Sequence, residues 1–275
     1  MNLTTEYSML LSVYEKVNPT HFSQCLESVF SQTYPPQQVV VVCDGPLTDE
    51  LDEVIRNFKK SFSDTLDVVR LEENAGTGAA ANAGIKACRN NLILKTDSDD
   101  ICRSDRAEIQ VAMYEKDPEL VLTGGYIREF LDGTDEEIAI KKVPLSHKEI
   151  LKYAKKRNPI NNPTIGIKKD FAEKIGGFDV DARCEDYDFV CRMLHAGAKS
   201  ENTDKILLDY RVSPDNLKRR KNWRNTKSFI QVRYRNFRRG FCSFFDFLIP
   251  TVAQLVMFIL PTSFTGAIYK KLLRK

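Results

Sequence analysis

Residues 91–100 read NLILKTDSDD, a short apolar run, Leu92-Ile93-Leu94, that ends in carboxylates at Asp97, Asp99 and Asp100. An apolar run of this length bounded by polar residues reads as a buried strand, and in open α/β sheets ligands gather beyond the carboxyl ends of such strands. The stretch therefore predicts a strand that delivers three carboxylates to a cleft. Held this close they repel one another, so the fold must supply a counter-charge. A hard divalent cation, Mg²⁺ or Mn²⁺, suits them, because such ions take oxygen ligands, commonly one or two carboxylates together with substrate phosphate oxygens. An acidic turn capping a helix that begins near Ser104 is the plainer alternative. An EF-hand would use Asp97, Asp99 and Glu108, but Ile101 and Cys102 stand where that loop needs an oxygen ligand and a glycine.

Upstream, Ser8–Val13 reads as a first strand with Tyr14-Glu15-Lys16 at its carboxyl end. His21–Gln32 places Phe22, Leu26, Val29 and Phe30 at helical spacing, with Thr20 as the expected cap. After Pro35-Pro36, Val39–Val42 is an unalternated β-branched run, as in a central parallel strand, and Asp44 sits at its carboxyl end. A second strand-helix-strand unit follows: a helix over Asp49–Phe62, a strand over Leu66–Leu71 and a helix over Thr77–Asn90. In the loop before that last helix, Gly76, Gly78 and Ala81 match G-x-G-x-x-A with an acidic residue about twenty positions on, which makes an NAD-type oxidoreductase a competitor. Against it, a complete βαβ unit precedes the glycines, and a carboxylate cluster replaces the single ribose-binding acid. On either reading the glycines let backbone approach a ligand at a helix N-terminus.

Downstream, the pattern predicts a helix over Arg106–Tyr114, a strand over Leu120–Phe130 broken at Gly124-Gly125, a polar hairpin over Asp132–Glu137 and a helix over Ser146–Lys156. Asn158–Ile167 is extended and contains Asn161-Asn162-Pro163, and Gly176-Gly177-Phe178-Asp179 forms a turn. In CEDYDFVCRML (184–194), Phe189, Met193 and Leu194 share a face, with Glu185 and Asp186 at the amino-terminal end. Those carboxylates either complement the helix dipole or include a general base that takes a proton from an attacking hydroxyl. Spacing does not choose between the two.

At 275 residues the chain holds one large α/β domain or two modest ones, and its 42% hydrophobic and 29% charged residues exclude a disordered chain. Seven cysteines, an odd number without C-x-x-C, read as structural thiols of a reducing compartment rather than disulfides or a zinc site. The opening residues lack a basic segment and an apolar core of signal-peptide length, so a cytoplasmic location is expected.

In this order, SMLLSVYEK (8–16), VVVVCDGP (39–46), NAGTGAAANAGI (74–85), TDSDD (96–100) with Arg103 and the Arg106–Gln110 pair, GGFD (176–179) and CEDYDFVCRML resemble the family 2 glycosyltransferases. The likeness covers about Tyr7 to Ser213 and points in particular to bacterial enzymes of capsule, exopolysaccharide or O-antigen synthesis, the amylovoran type included. It implies a GT-A fold, Rossmann-like with a mostly parallel central sheet flanked by helices, a nucleotide-sugar-binding half over 1–115 and an acceptor half over 116–215. It further implies a nucleotide-sugar donor, a divalent metal and inversion at the anomeric carbon. By this resemblance Val13, Tyr14 and Glu15 line the nucleotide pocket, Asp44 bonds the base, usually uracil, and Asn74 and Gly76 lie along the nucleotide. Asp97 contacts ribose or metal, Asp99 holds the metal on the diphosphate, and Asp186 matches the base, with Glu185 beside it. No Q-x-x-R-W follows, so transfer of a single sugar to a saccharide or lipid-linked acceptor is expected rather than processive polymerisation.

Residues 216–275 differ in character. Lys218–Arg239 carries ten Lys or Arg and no Asp or Glu, with Trp223, Phe229, Tyr234 and Phe237 interleaved, and residues 241–268 are largely apolar. This pairing suits an anionic membrane surface, so nucleic acid is not taken as a partner. An interfacial helical hairpin or monotopic anchor is favoured over a single span, which Asp246, Pro250, Gln254 and Pro261 interrupt, and over a soluble or homodimer element. The expected site of action is the inner face of the cytoplasmic membrane.

Overall fold

The computed structural model describes residues 3–180, 184–212 and 222–259. Its first half alternates strand and helix: β1 (Tyr7–Val13), α1 (Pro19–Phe30), β2 (Gln38–Cys43), α2 (Asp49–Ser61), β3 (Leu66–Arg70), α3 (Thr77–Ala87) and β4 (Leu92–Lys95). These four strands lie in the order β3-β2-β1-β4, all parallel. Every residue of β2 is buried, because helices cover both faces. Met9, Leu11, Val13, Val39 and Val41 point into one core with α1 and α2, while Leu10, Val40 and Val42 point into another with α3.

The second half contributes β5 (Ile101–Cys102), α4 (Arg106–Lys116), β6 (Leu120–Leu131), β7 (Glu137–Lys141), α5 (His147–Ala154), β8 (Gly166–Lys168), α6 (Lys169–Lys174), α7 (Glu185–His195) and β9 (Lys199–Val212). The sheet continues from β4 through β8, β6 and β9 to β5, with β7 paired to β6. β1, β2, β3, β4, β6 and β9 share one direction; β5, β7 and β8 oppose it. Two further helices, α8 (Trp223–Arg238) and α9 (Phe244–Ile259), pack on each other, and Val232 of α8 reaches a small core with Cys184, Tyr187 and Cys191. Among the described residues no helix is long and apolar enough to cross a membrane. The apolar stretch 241–268 continues beyond Ile259, outside the described residues.

Two local expectations are corrected, and one strand was unforeseen. Asn18, not Thr20, caps α1: its Oδ1 accepts from Thr20 N (2.8 Å), and Pro19 at the first helical position brings the start forward. β6 runs unbroken through Gly124-Gly125, although its register against β9 shifts at Gly125. These glycines make room, since a Cβ at Gly124 would lie 2.7 Å from Asn202 Oδ1 and one at Gly125 2.6 Å from Leu207 Cδ1. β9 had no sequence signal, because Glu201, Asp204 and Lys205 dilute its first half with exposed polar residues.

Candidate active site

The carboxyl ends of β1, β2 and β4 form one edge: Asp44 N donates to Val13 O (2.8 Å) and Thr96 N to Leu10 O (2.9 Å). Tyr14 and Glu15 follow β1 there, exposed. Buried Asp44 turns its carboxylate to the glycine loop, accepting from Ala75 N (2.8 Å) and Gly76 N (3.1 Å). Gly76 caps α3 at φ 89°, a left-handed conformation that favours glycine, and among the described residues no side chain bonds the first N–H groups of the helix. Below the loop, Gly45 packs so tightly that a Cβ would meet Asn74 N at 2.7 Å. Asn74 itself is exposed at the rim. The glycines here follow β3, an edge strand, whereas a dinucleotide fingerprint follows the first, central strand.

Beyond β4 the chain supplies part of the counter-charge itself. Lys95, buried, donates to Asp97 Oδ1 (2.8 Å). Arg211 of β9 donates from Nε to Asp99 O (2.9 Å) and from its backbone N–H to Asp100 Oδ1 (2.9 Å), and its guanidinium also bonds Asp132 and Gln24. Burial first, and Asp97 next, push the Asp99 carboxyl above its ordinary range. Asp100 is wholly buried and raised further, by burial and then by Asp99, and its Oδ2 has no hydrogen-bond partner among the described residues. Among the described residues no three His, Cys, Asp or Glu side chains form a ready metal cluster. Asp97 and Asp99 fit a cation that takes its remaining ligands from phosphate and water: they are hard oxygen donors, and the raised Asp99 and unpartnered Asp100 oxygen mark surplus negative charge. The Arg106–Gln110 pair braces this edge from behind, Arg106 donating to Lys95 O (2.7 Å) and Gln110 (3.0 Å), and Gln110 to Thr164 O (2.9 Å).

Opposite stands the amino end of α7. Asn82 of α3 clamps Phe178 of the GGFD turn, donating to its carbonyl (2.9 Å) and accepting from its N–H (2.7 Å), and Phe178 stacks on Phe189 of α7. The glycine loop and α7 are thereby tied together. Glu185 has its carboxyl pushed up to about 7, by burial foremost and then by Asp186; Lys95 opposes the shift and Asp97 adds to it, so Glu185 feels the charges beyond β4. Asp186 Oδ2 accepts from Asn158 Nδ2 (3.0 Å). Asp188, fully buried, pairs with Arg192 (2.6 Å) and with Arg239 (2.9 Å), beyond the end of α8. Residues 181–183, in the loop before Glu185, lie outside the described residues. Asn161 is buried and donates to Gly125 O and Lys141 O.

These environments carry two predictions. Asp188→Ala strands two arginines and costs about 3–5 kcal/mol, read as a fall in denaturant midpoint; a change below 1 kcal/mol would show the pairs to be superficial. Because Glu185 binds its proton more tightly folded than unfolded, its ionisation lowers stability as pH rises from the ordinary carboxyl pKa through about 7. Glu185→Gln therefore matches wild type at pH 4 and exceeds it by about 3 kcal/mol at pH 8; parallel stability curves across that range would refute the shift.

Sequence reading missed Lys95, Arg211 and Asn158. Lys95 did leave a signal, a lysine closing an apolar strand directly before carboxylates. Arg211 lies on the unforeseen β9, and Asn158 in a segment read only as extended.

Glycosyl transferase family 2 matches residues 10–176 of the chain. The chain belongs to that family. It is a glycosyltransferase, and the oxidoreductase reading of the Gly76-Gly78-Ala81 loop falls. Among its relatives, the UDP-Gal:alpha-D-GlcNAc-diphosphoundecaprenol beta-1,3-galactosyltransferase of Escherichia coli is 34% identical over 99% of this chain and 98% of its own. The amylovoran biosynthesis glycosyltransferase AmsE of Erwinia amylovora is 34% identical over 82% of this chain and 84% of its own. In fold, this glycosyltransferase is similar to the mannosyltransferase PcManGT of Pyrobaculum calidifontis, solved with GDP-Man and Mn²⁺, at a TM-score of 0.66 and 14% identity over 98% of this chain and 78% of that one. The α/β sheet flanked by helices is thus a GT-A fold.

Proposed function

We propose that this family 2 glycosyltransferase transfers a single sugar from a nucleotide-sugar, a UDP-sugar by preference, to a saccharide or lipid-linked acceptor in cell-surface polysaccharide synthesis, with inversion and with Mn²⁺ or Mg²⁺. The observation that carries the reading is that Glu185, at the amino end of α7, feels the charges of Lys95 and Asp97 beyond β4, beside a glycine loop held by Asp44. The galactosyltransferase relative uses UDP-Gal and a diphosphoundecaprenol-linked acceptor, which supports the donor and acceptor classes.

Val13, Tyr14, Glu15 and Asn74 border the nucleotide, Asp44 positions the Gly76 loop and meets the base, and the N–H groups opening α3, which no described side chain bonds, suit an anionic ligand. Asp97 and Asp99 would hold the metal, which acts when bound as a Lewis acid on the departing nucleoside diphosphate. Asp186 accepts the proton of the acceptor hydroxyl as its oxygen attacks C1 from the face opposite the diphosphate; the C1–O bond to the diphosphate breaks and the configuration inverts. Asn158 holds the Asp186 carboxylate in place. Glu185 stands between base and donor carboxylates, where it keeps charge adjustable near neutrality. The enzyme works at the cytoplasmic face of the membrane, as a peripheral protein, where a lipid-linked acceptor resides.

Incubation of the full chain with UDP-sugars, Mn²⁺ and lipid-diphosphate sugar acceptors tests this by nuclear magnetic resonance of the product. UDP release with an anomeric configuration opposite to the donor's is expected. Retention of configuration, or release of pyrophosphate in place of UDP, would overturn it.

A further inference from the structure

Two features of the described residues remain outside the transfer chemistry. The first is the outer face of α9. Phe245, Leu248, Ile249, Val252, Val256 and Ile259 recur at helical spacing and are all exposed, Phe245 by 67% and Ile259 by 79%. No charged residue interrupts this stripe. Beside it the exposed face of α8 carries Trp223, Arg224, Lys227, Tyr234 and Arg238. The helices are antiparallel, since Trp223 lies against Phe258 and Tyr234 against Phe247.

The second is a cavity of about 520 Å³ where α5, the end of α7 and the turn between α8 and α9 meet. His147, Lys148, Lys152, Lys155 and His195 line it, with Phe241 from that turn, and no carboxylate is among its lining residues. Ser200 N–H donates to His147 Nδ1 (3.2 Å), so the neutral ring carries its proton on Nε2, as a donor. Asp246, the acid of α9, is bonded by the Ser243 N–H and O–H. Asp246 also feels Lys155 and Lys156, so one acid offsets part of this charge, and the remaining concave excess of donors and cations suits a phosphate group.

We infer that the α8–α9 hairpin and this cavity form one membrane-docking surface, the α9 stripe entering the acyl boundary of an anionic bilayer while the cavity takes a lipid phosphate headgroup. The inference rests on the membrane reading above and adds its contact residues. Charge complementarity selects the occupant, because cations on α8 and in the cavity flank an apolar stripe, as an anionic bilayer requires. A second copy of the chain would bring two basic α8 faces together. His195 and Asp186 lie nine residues apart on α7, about 14 Å along its axis. A headgroup in the cavity therefore registers the base at a set distance from the membrane.

Flotation of the full chain with phosphatidylcholine vesicles, with or without phosphatidylglycerol, provides the test. Wild type is expected to float with the anionic vesicles and only weakly with the neutral ones. Lys148→Ala/Lys152→Ala, both exposed, should weaken partitioning about thirty-fold, at about 1 kcal/mol per lysine, with thermal midpoint and UDP binding unchanged. Ile249→Asp should abolish flotation on both vesicle types. Equal flotation of wild type and the lysine variant would overturn the cavity's role, and inorganic phosphate that displaces the protein from anionic vesicles at matched ionic strength would assign the cavity to a soluble anion. Sugar transfer without flotation would defeat the docking inference and leave the transferase standing; flotation without transfer would do the reverse.

Discussion

Replacing Asp186 with Asn lowers kcat about 10³-fold, within the range that loss of a positioned general base produces, while the donor KM changes little. The substitution is close to isosteric, and the new amide oxygen can still accept from Asn158, so fold and acceptor pocket persist. What disappears is the capacity to take a proton as the acceptor oxygen bonds to C1. Stopped assays of UDP release from a UDP-sugar, wild type against variant, provide the measurement. A variant that keeps a tenth of the wild-type rate would move the base elsewhere, with Glu185 next in line because it already titrates near neutrality. Asp188 is the internal control: it is two residues away, yet its carboxylate is consumed by Arg192 and Arg239.

Asp99→Asn has an effect of similar size by a different route. Removing one of two proposed metal ligands forfeits stabilisation of the leaving diphosphate, several kcal/mol, or about 10³-fold in kcat/KM at fixed Mn²⁺. The same change relieves a cost in the metal-free protein. Asp99 is raised by burial and by Asp97, so at neutral pH its ionised form is held unfavourably. The variant should melt higher than wild type in EDTA at pH 7 and lose that advantage as pH falls through the ordinary carboxyl range, where both side chains are neutral. Unchanged Mn²⁺ dependence of turnover would remove Asp99 from the metal site, whatever the melting data show.

The parallel half of the sheet was legible because its signals are local. Val39–Val42 can be nothing but a strand buried on both faces, and the periodicity of α1 and α2 names the faces that cover it. The cluster after Leu94 was legible as a ligand-binding strand end for the same reason. Its electrostatics were not, because part of the compensation comes from Arg211, on a strand whose polar first half hides it. CEDYD showed three acids in a row of five, but spacing cannot separate one that is sealed by arginines from one oriented by Asn158. Asp44 illustrates a further limit: its place at a strand end was readable, whereas its grip on the Ala75 and Gly76 amides depends on how the next unit folds over it. Gly124-Gly125 misled because glycines that make room for Asn202 and Leu207 look, in sequence, like glycines that break a strand.

The central claim is that the carboxyl edge of β1, β2 and β4 is a metal-dependent nucleoside-diphosphate site. Calorimetric titration of UDP into the purified full chain, with and without Mn²⁺, tests it most directly. The account predicts UDP binding that requires Mn²⁺ and is lost in Asp99→Asn; a folded protein that binds no UDP with Mn²⁺, or binds it equally well in EDTA, would contradict it.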